Sequence, residues 1–259
     1  MTTAVFTDLD GTLLDHTSYD YAPALPAIAA LRAAGIPLVL ASSKTSPEMA
    51  VLHAELGLGG LPYISENGAG IVGGPGTPEP PCYQDIRAAL AALPPALRAA
   101  FTGFGDMDAG AVATLTGLDA AAAARAKARS YSEPGTWNGD AAGLRAFTKA
   151  MAQAGFAAQH GGRFLTLSRG RTKADAMRQV AADLGARHVV ALGDAPNDIA
   201  MLEAADLGVI VRNPHGTPLG SMPGEAAGRI RRSQLDGPAG WNQAVIEIVD
   251  EITNQKAMP

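Results

Sequence analysis

Short apolar runs alternate with longer amphipathic stretches at both ends of the chain. Residues 4–7 (AVFT) are too few for a helix and enough for a buried strand. From Pro23, the positions Leu25, Ile28 and Leu31 recur at helical spacing, and Gly35 supplies a stop. The uninterrupted run IPLVLA (36–41) is of the kind that parallel sheets bury on both faces. Ser46-Pro47-Glu48 reads as an N-cap, a proline at the first helical position and an acid in the first turn. Gly57 closes that helix, and PYIS (62–65) predicts a third strand. Strand and helix alternating in this way predict a doubly wound α/β sheet.

The rhythm breaks after Val72. GGPGTPEPP (73–81) is a Gly/Pro linker and not a phosphate loop, because no Lys-Ser/Thr follows it. Segments 85–103 and 118–129 are predicted helices, SYSEP (130–134) a short strand, and 140–154 a further helix. FAAQH and RFLTL then form a hairpin across Gly161-Gly162. The α/β alternation resumes with a helix over 172–184, a strand over 188–193, a helix over 196–204 and a strand over 207–211. A last helix starts near Pro238 and carries Trp241 and Ile246, with Trp241 expected to anchor it to the core. The expected architecture is a doubly wound parallel-sheet, Rossmann-like core (1–81 and 169–259) with an inserted α+β cap (82–168), an insert large enough to hold its own core.

Composition narrows the function. With 47% hydrophobic residues and one cysteine in 259, the chain is neither disordered nor a disulfide-stapled scaffold. No window has membrane-spanning length, and the start MTTAVFTDLDG lacks a basic leader, so a cytoplasmic location is expected. Twenty Lys+Arg against 25 Asp+Glu give a net charge of −5, which offers no attraction to nucleic acid or an anionic membrane. A small anionic substrate would therefore be captured by a few placed cations. A monomer or homodimer is expected. The five histidines show no metal-ligand spacing, and Cys82 has no partner cysteine. The cluster Arg229, Arg231 and Arg232 reads as a solvated face.

Four segments carry candidate chemistry. Asp8-Leu9-Asp10-Gly11-Thr12 directly follows the first strand, and open parallel sheets bind ligands beyond the carboxyl ends of their strands. There Asp8 can attack phosphorus, and Asp10 can exchange a proton with the leaving group and with water. Ser42 follows the second strand, where its hydroxyl can hold a phosphate oxygen. Lys173 opens a helix, the wrong end for a cation unless an anion waits there. Gly193-Asp194-Ala195-Pro196-Asn197-Asp198 follows another buried strand and offers hard oxygen ligands suited to Mg²⁺.

These four segments, in this order, resemble the motifs of the haloacid dehalogenase superfamily of phosphatases, with an insert like the larger type-two (C2B) cap between the second and third motifs. Further stretches look like the mannosyl-3-phosphoglycerate phosphatase family: Ser42-Ser43-Lys44-Thr45, Glu66-Asn67-Gly68-Ala69, Ser132-Glu133-Pro134 with Trp137, Gly162-Arg163-Phe164, and Gly237-Pro238 with Gly240-Trp241. The chain departs from the pattern at Ala174, where glycine often follows the lysine, and at the unusually basic Arg169-Gly170-Arg171.

The resemblance implies a Mg²⁺-dependent phosphatase with an aspartyl-phosphate intermediate. Asp8, Asp10 (through its carbonyl), Asp194 and Asp198 would surround the metal, and Ser42 and Lys173 would hold the phosphoryl oxygens. The substrate would meet Ser43, Lys44, Glu66, Asn67, Gly68, Arg163, Arg169 and Asn197. Arg163 is the first candidate for a substrate carboxylate, since arginine binds carboxylate through paired hydrogen bonds; Asn197 is also expected to orient Lys173 or a neighbouring acid. The alternatives are another sugar-phosphate phosphatase, a hexose-phosphate mutase or, more remotely, a phospho-acceptor module. Asp10 argues against the last, because an acid/base there promotes hydrolysis.

Overall fold

A computed structural model describes residues 2–74, 80–161 and 163–257. Along the chain run β1 (Thr3–Thr7), α1 (Leu25–Ala33), β2 (Leu38–Leu40), α2 (Ser46–Glu55), β3 (Tyr63–Ser65) and β4 (Gly70–Val72). Next come α3 (Tyr83–Ala91), α4 (Pro95–Ala100), β5 (Phe101–Gly103), α5 (Ala109–Thr116) and α6 (Ala120–Lys127). They are followed by β6 (Ser132–Trp137), α7 (Ala141–Gln153), β7 (Ala157–Gly161) and β8 (Phe164–Ser168). The chain ends with α8 (Lys173–Asp183), β9 (His188–Gly193), α9 (Ile199–Ala204), β10 (Leu207–Arg212), α10 (Pro223–Ala226), β11 (Ile230–Asp236) and α11 (Gly237–Ala257).

The main sheet is parallel, in the order β11-β10-β9-β1-β2. Alternate residues of β1 feed two cores, as a strand's period of two requires. Val5 joins Leu31, Leu40, Trp241 and Ile248 on one face; Phe6 joins Val39, Met177, Val180 and Met201 on the other. Trp241 is fully buried, and its indole N–H donates to Thr7 Oγ1 at 2.9 Å, tying α11 to β1. Truncating such a side chain costs about 3–5 kcal/mol.

A separate antiparallel sheet, ordered β5-β6-β8-β7, forms the cap. Its core gathers Ile86, Leu90, Phe101, Phe147, Met151 and Leu167, with Phe101 and Phe147 stacked at 5.2 Å. Among the described residues no helix is long and apolar enough to cross a membrane.

Several elements differ from the sequence expectation. The segment 85–103 is two helices and a strand, because Pro94 at φ −51°, ψ 137° cannot continue α3. Helix α2 is capped one residue earlier than expected: Thr45 accepts from Glu48 N while Glu48 accepts from Thr45 N, a reciprocal box that Ser46 does not make. Strand β3 pairs antiparallel with β4 and meets the main sheet through an Ala41–Ile64 bridge and a bond from Ser42 N to Ile64 O. Helix α5 and strand β11 were not expected. The arginines of β11 and its flank pair with acids: Arg229 with Glu203, Arg231 with Glu251 and Arg232 with Glu225. The linker segment 75–79 and Gly162 lie outside the described residues.

Candidate active site

Strand β1 lies between β2 and β9, so the chain leaves it first to one side and later to the other. At such a switch point the loops diverge and leave a crevice beyond the strand ends. Asp8 follows β1 and Asp194 follows β9, and Asp8 N donates to Leu192 O at 2.9 Å, so the two acids stand side by side. Asp198 folds the 193–198 turn back on itself, its Oδ2 accepting from the backbone N–H of Asp194 (3.2 Å) and Ala195 (3.1 Å).

Lys173 enters from the first turn of α8, which Thr172 and Asp175 cap reciprocally. Its Nζ donates to Asp8 Oδ1 at 2.5 Å and to Asp198 Oδ1 at 2.8 Å, with only 2% of the residue exposed. Burial alone would lower the lysine's pKa, but the charges and hydrogen bonds of Asp198 and Asp8 outweigh it and hold the ammonium above its ordinary range. Asp8 moves the other way from a usual ion-paired acid. Burial and then the Asp198 charge push its pKa up, and Lys173 offsets only part of this. Asp194 is also raised, by burial, against the lowering effect of Asn213 and Thr12.

Asp8, Asp194 and Asp198 each offer an oxygen within 4.8 Å of the others, and all three are buried. Three carboxylates face one ammonium, and this excess of buried hard-oxygen charge fits a divalent cation. Asp194 is held from both sides: Oδ1 accepts from Thr12 Oγ1 at 2.7 Å and Oδ2 from Asn213 Nδ2 at 2.8 Å. Sequence reasoning left Asn213 out, although it follows the apolar run of β10 at the same end of the sheet that carries Asp8.

Asp10 points to the side of the cluster. Its Oδ2 lies 2.8 Å from Lys44 Nζ, while Oδ1 is buried without a hydrogen-bond partner among the described residues. Lys44 would be depressed by burial, yet Asp10 raises its pKa overall. Lys44, the partner of Asp10, lines a cleft of about 400 Å³ between core and cap, together with Tyr19, Glu48, Thr116, Asp119 and Arg125.

The remaining candidates are placed as follows. Ser42 is buried and its Oγ accepts from Lys44 N at 3.2 Å, whereas Ser43 is exposed and its carbonyl accepts from Arg129 Nη1 at 3.1 Å. The Glu66 carboxylate is turned into the cap, accepting from Ser130 N, Tyr131 N and Ser132 Oγ. Asn197 donates to Asn67 Oδ1 at 3.0 Å, and among the described residues its amide bonds neither Lys173 nor a carboxylate. Gly68 packs on the backbone that opens α8. Arg163 is exposed, donates to the carbonyls of Leu115 and Thr116 at the end of α5, and does not line the cleft. Arg169 pairs with Asp85 at 3.2 Å on the outside of the cap. The structure thus gathers Asp8, Asp10, Lys44, Lys173, Asp194 and Asp198, and gives Glu66, Arg163 and Arg169 protein partners of their own.

A buried carboxylate at a strand end of an α/β sheet, bonded to a lysine inside a cation-ready acid cluster, is an arrangement suited to nucleophilic chemistry on an anionic substrate. The family model for haloacid dehalogenase-like hydrolases matches residues 5–75 and 142–217, more than half of the chain, and the chain belongs to that family. Similar solved structures include a haloacid dehalogenase-like hydrolase from B. subtilis (TM-score 0.61, 20% identity, covering 96% of this chain and 99% of that one). Another is the sucrose-phosphatase of Synechocystis sp. in complex with sucrose and phosphate (TM-score 0.60, 16% identity, 96% and 98% covered). A subclass IIB sugar phosphatase of the haloacid dehalogenase superfamily aligns at TM-score 0.65 and 16% identity, over 95% and 99% of the two chains. At these identities the likeness is one of fold.

Proposed function

We propose that this protein is a Mg²⁺-dependent phosphomonoesterase acting through an aspartyl-phosphate on Asp8, with mannosyl-3-phosphoglycerate or glucosyl-3-phosphoglycerate as substrate. The observation that carries the phosphatase reading is the Asp8 carboxylate, bonded to Lys173 within the three-acid cluster. Asp8, the Asp10 carbonyl and Asp194 would hold Mg²⁺, with Asp198 beside them. The bound ion supplies positive charge against the repulsion between Asp8 and a phosphate dianion.

Asp8 attacks phosphorus, forming a carboxylate oxygen–phosphorus bond as the bond from phosphorus to the glycerate C3 oxygen breaks. Asp10 gives that oxygen its proton. Asp10 then takes a proton from the water that attacks the acyl phosphate, so inorganic phosphate leaves and Asp8 is regenerated. Ser42 and Lys173 hold the phosphoryl oxygens throughout, and catalysis is largely positioning and electrostatics. Residues 82–168 act as the cap that screens substrates.

The cleft beside Asp10 supports a polar, sugar-sized leaving group. Its acids Glu48 and Asp119 suit hydroxyls, and its cations Lys44 and Arg125 suit a carboxylate. Arg163 acts on this cleft from behind, through the end of α5. The deciding experiment is a phosphate-release panel run with Mg²⁺ and with EDTA. It spans both glycosyl-3-phosphoglycerates, sucrose 6-phosphate and simple hexose phosphates. Preferred release from a glycosyl-3-phosphoglycerate, lost in EDTA, is expected. Preference for another sugar phosphate would move the substrate assignment, and interconversion without release would indicate a mutase.

A further inference from the structure

Glu66, Asn67 and Gly68 all take positive φ, at 51°, 59° and 97°. Consecutive left-handed residues that are not glycine persist only where their surroundings over-determine them. Here the surroundings are two different bodies. On the core side, Glu66 N donates to Lys44 O and Asn67 N to Ser42 O, both at 2.9 Å. Asn67 Oδ1 accepts from Asn197, and a Cβ on Gly68 would lie 2.2 Å from the Thr172 carbonyl and 2.5 Å from Lys173 N. One turn therefore touches the Ser42 loop, the Lys173 helix and the 193–198 turn.

On the cap side, the same turn sends out a single carboxylate. Glu66 is 3% exposed; its Oε1 accepts from Ser130 N at 2.9 Å, and its Oε2 from Tyr131 N at 3.1 Å and Ser132 Oγ at 2.6 Å. The Ser130 carbonyl in turn accepts from Cys82 N and Tyr83 N, where the chain enters α3. Three donors at the root of β6 thus converge on one core residue. Hydrogen bonds to an ionised acceptor are about twice as strong as neutral ones.

We propose that Glu66 is a positioning residue that pins the root of the cap to the turn on which the catalytic loops rest, so that the cap presents its cleft wall in register with Asp10. The left-handed backbone is what aims the carboxylate out of the core while its amide stays bonded to Lys44 O. Only the kinetic arm of the test rests on the phosphatase reading.

The test uses the full chain with Glu66→Gln, which keeps the shape but turns one acceptor oxygen into a donor, and Ser132→Ala, which removes one donor and leaves the carboxylate. Amide hydrogen exchange at Ser130 and Tyr131 should quicken by roughly tenfold in Glu66→Gln, and less in Ser132→Ala, as expected for losing one charge-assisted bond. With Mg²⁺ present, kcat/KM for the glycosyl phosphoglycerate should fall by roughly tenfold more than kcat/KM for acetyl phosphate, which has no sugar for the cap to hold. Unchanged exchange at both amides in a folded variant overturns the proposal, as do equal losses on both substrates. If Glu66→Gln does not fold, Ser132→Ala carries both arms, with the same readings. If the wild type turns over neither substrate, the phosphatase reading fails, and the exchange arm still decides the pin.

Discussion

The Lys173 ammonium lies 2.5 Å from Asp8 Oδ1, yet removing one member of this pair and removing the other have opposite consequences for the fold. Asp8 is buried among like charges, and its pKa is raised despite the lysine. Asp8→Asn removes a repelled charge and leaves Lys173 bonded to Asp198 at 2.8 Å. The variant should lose turnover altogether and yet resist urea at least as well as the metal-free wild type. Lys173→Met strands two buried carboxylates, and breaking a buried pair in this way costs about 3–5 kcal/mol. Urea unfolding of both metal-free variants, alongside phosphate release, checks the contrast. A large stability loss in Asp8→Asn would show that the pair, not the acid cluster, dominates the balance.

The same cluster sets a pH dependence. Burial and the neighbouring acids raise Asp8, and burial raises Asp194, so the folded protein holds protons that the unfolded chain has released. Where the folded state binds more protons, stability falls as pH rises. Asp106 works in the opposite direction at lower pH. Burial would raise it, but hydrogen bonds from Arg87 and Arg98 hold it at about 2, so its contribution is lost only as pH drops below the ordinary aspartate value of 3.8. The melting temperature of the metal-free protein should therefore be highest in acid near the ordinary aspartate value of 3.8, and should decline as pH rises above it and Asp8 and Asp194 ionise. Mg²⁺ should raise it more at pH ~8 than at pH ~5, because the ion binds the deprotonated cluster. Calorimetry with EDTA and with Mg²⁺ at several pH values measures both trends.

What could be read from the chain follows from what its physics leaves local. β1, β2, β9 and β10 are buried on both faces, so they appear as continuous apolar runs, and the acids and Ser42 that follow them mark the ligand-binding end of the sheet. β11 was invisible for the converse reason: IRRSQLD is an edge strand whose side chains are mostly exposed and paired with acids of α10 and α11. Pro94-Pro95 gave a local signal against one long helix over 85–103, and that signal outranked the apolar spacing. Partners distant in sequence were not legible at all. Glu66 is an acid in a turn until residues 130–132 close on it, and Arg163 starts a strand until the end of α5 arrives beneath its guanidinium.

The cleft separates two arginines by experiment. Arg125 lines it together with Lys44, whereas Arg163 supports it by donating to the carbonyls of Leu115 and Thr116. Arg125→Ala should raise KM for the glycosyl phosphoglycerate by roughly tenfold or more, the scale of losing one charge-assisted contact, and change KM for para-nitrophenyl phosphate far less. Arg163→Ala should act on both esters alike and lower stability by about 0.5–1 kcal/mol, as for a lost contact at a helix end. Michaelis constants for the two esters, with a melting curve for each variant, decide it. A selective effect of Arg163→Ala would return the carboxylate to that residue.

Gly11 tests how tightly the metal-side acid is held. It sits at φ +84°, and a Cβ there would lie 2.2 Å from Asn213 Nδ2 and 2.8 Å from Asp194 Oδ2. Those two groups are bonded to each other at 2.8 Å, so an added methyl must push apart the hydrogen bond that aims Asp194. The left-handed backbone adds its own penalty for any residue with a side chain. Gly11→Ala should therefore weaken Mg²⁺ binding by about 10–100-fold, the usual effect of disturbing a group that orients a metal ligand. Asn213→Ala removes the same hydrogen bond without backbone strain, and its loss of affinity should fall in the same range with a smaller loss of stability. Calorimetric titration of Mg²⁺ into both variants, beside their melting temperatures, separates ligand aiming from backbone strain. If Asn213→Ala binds the ion as well as wild type does, the Asn213–Asp194 bond has no part in aiming the ligand, and strain alone accounts for the Gly11 effect.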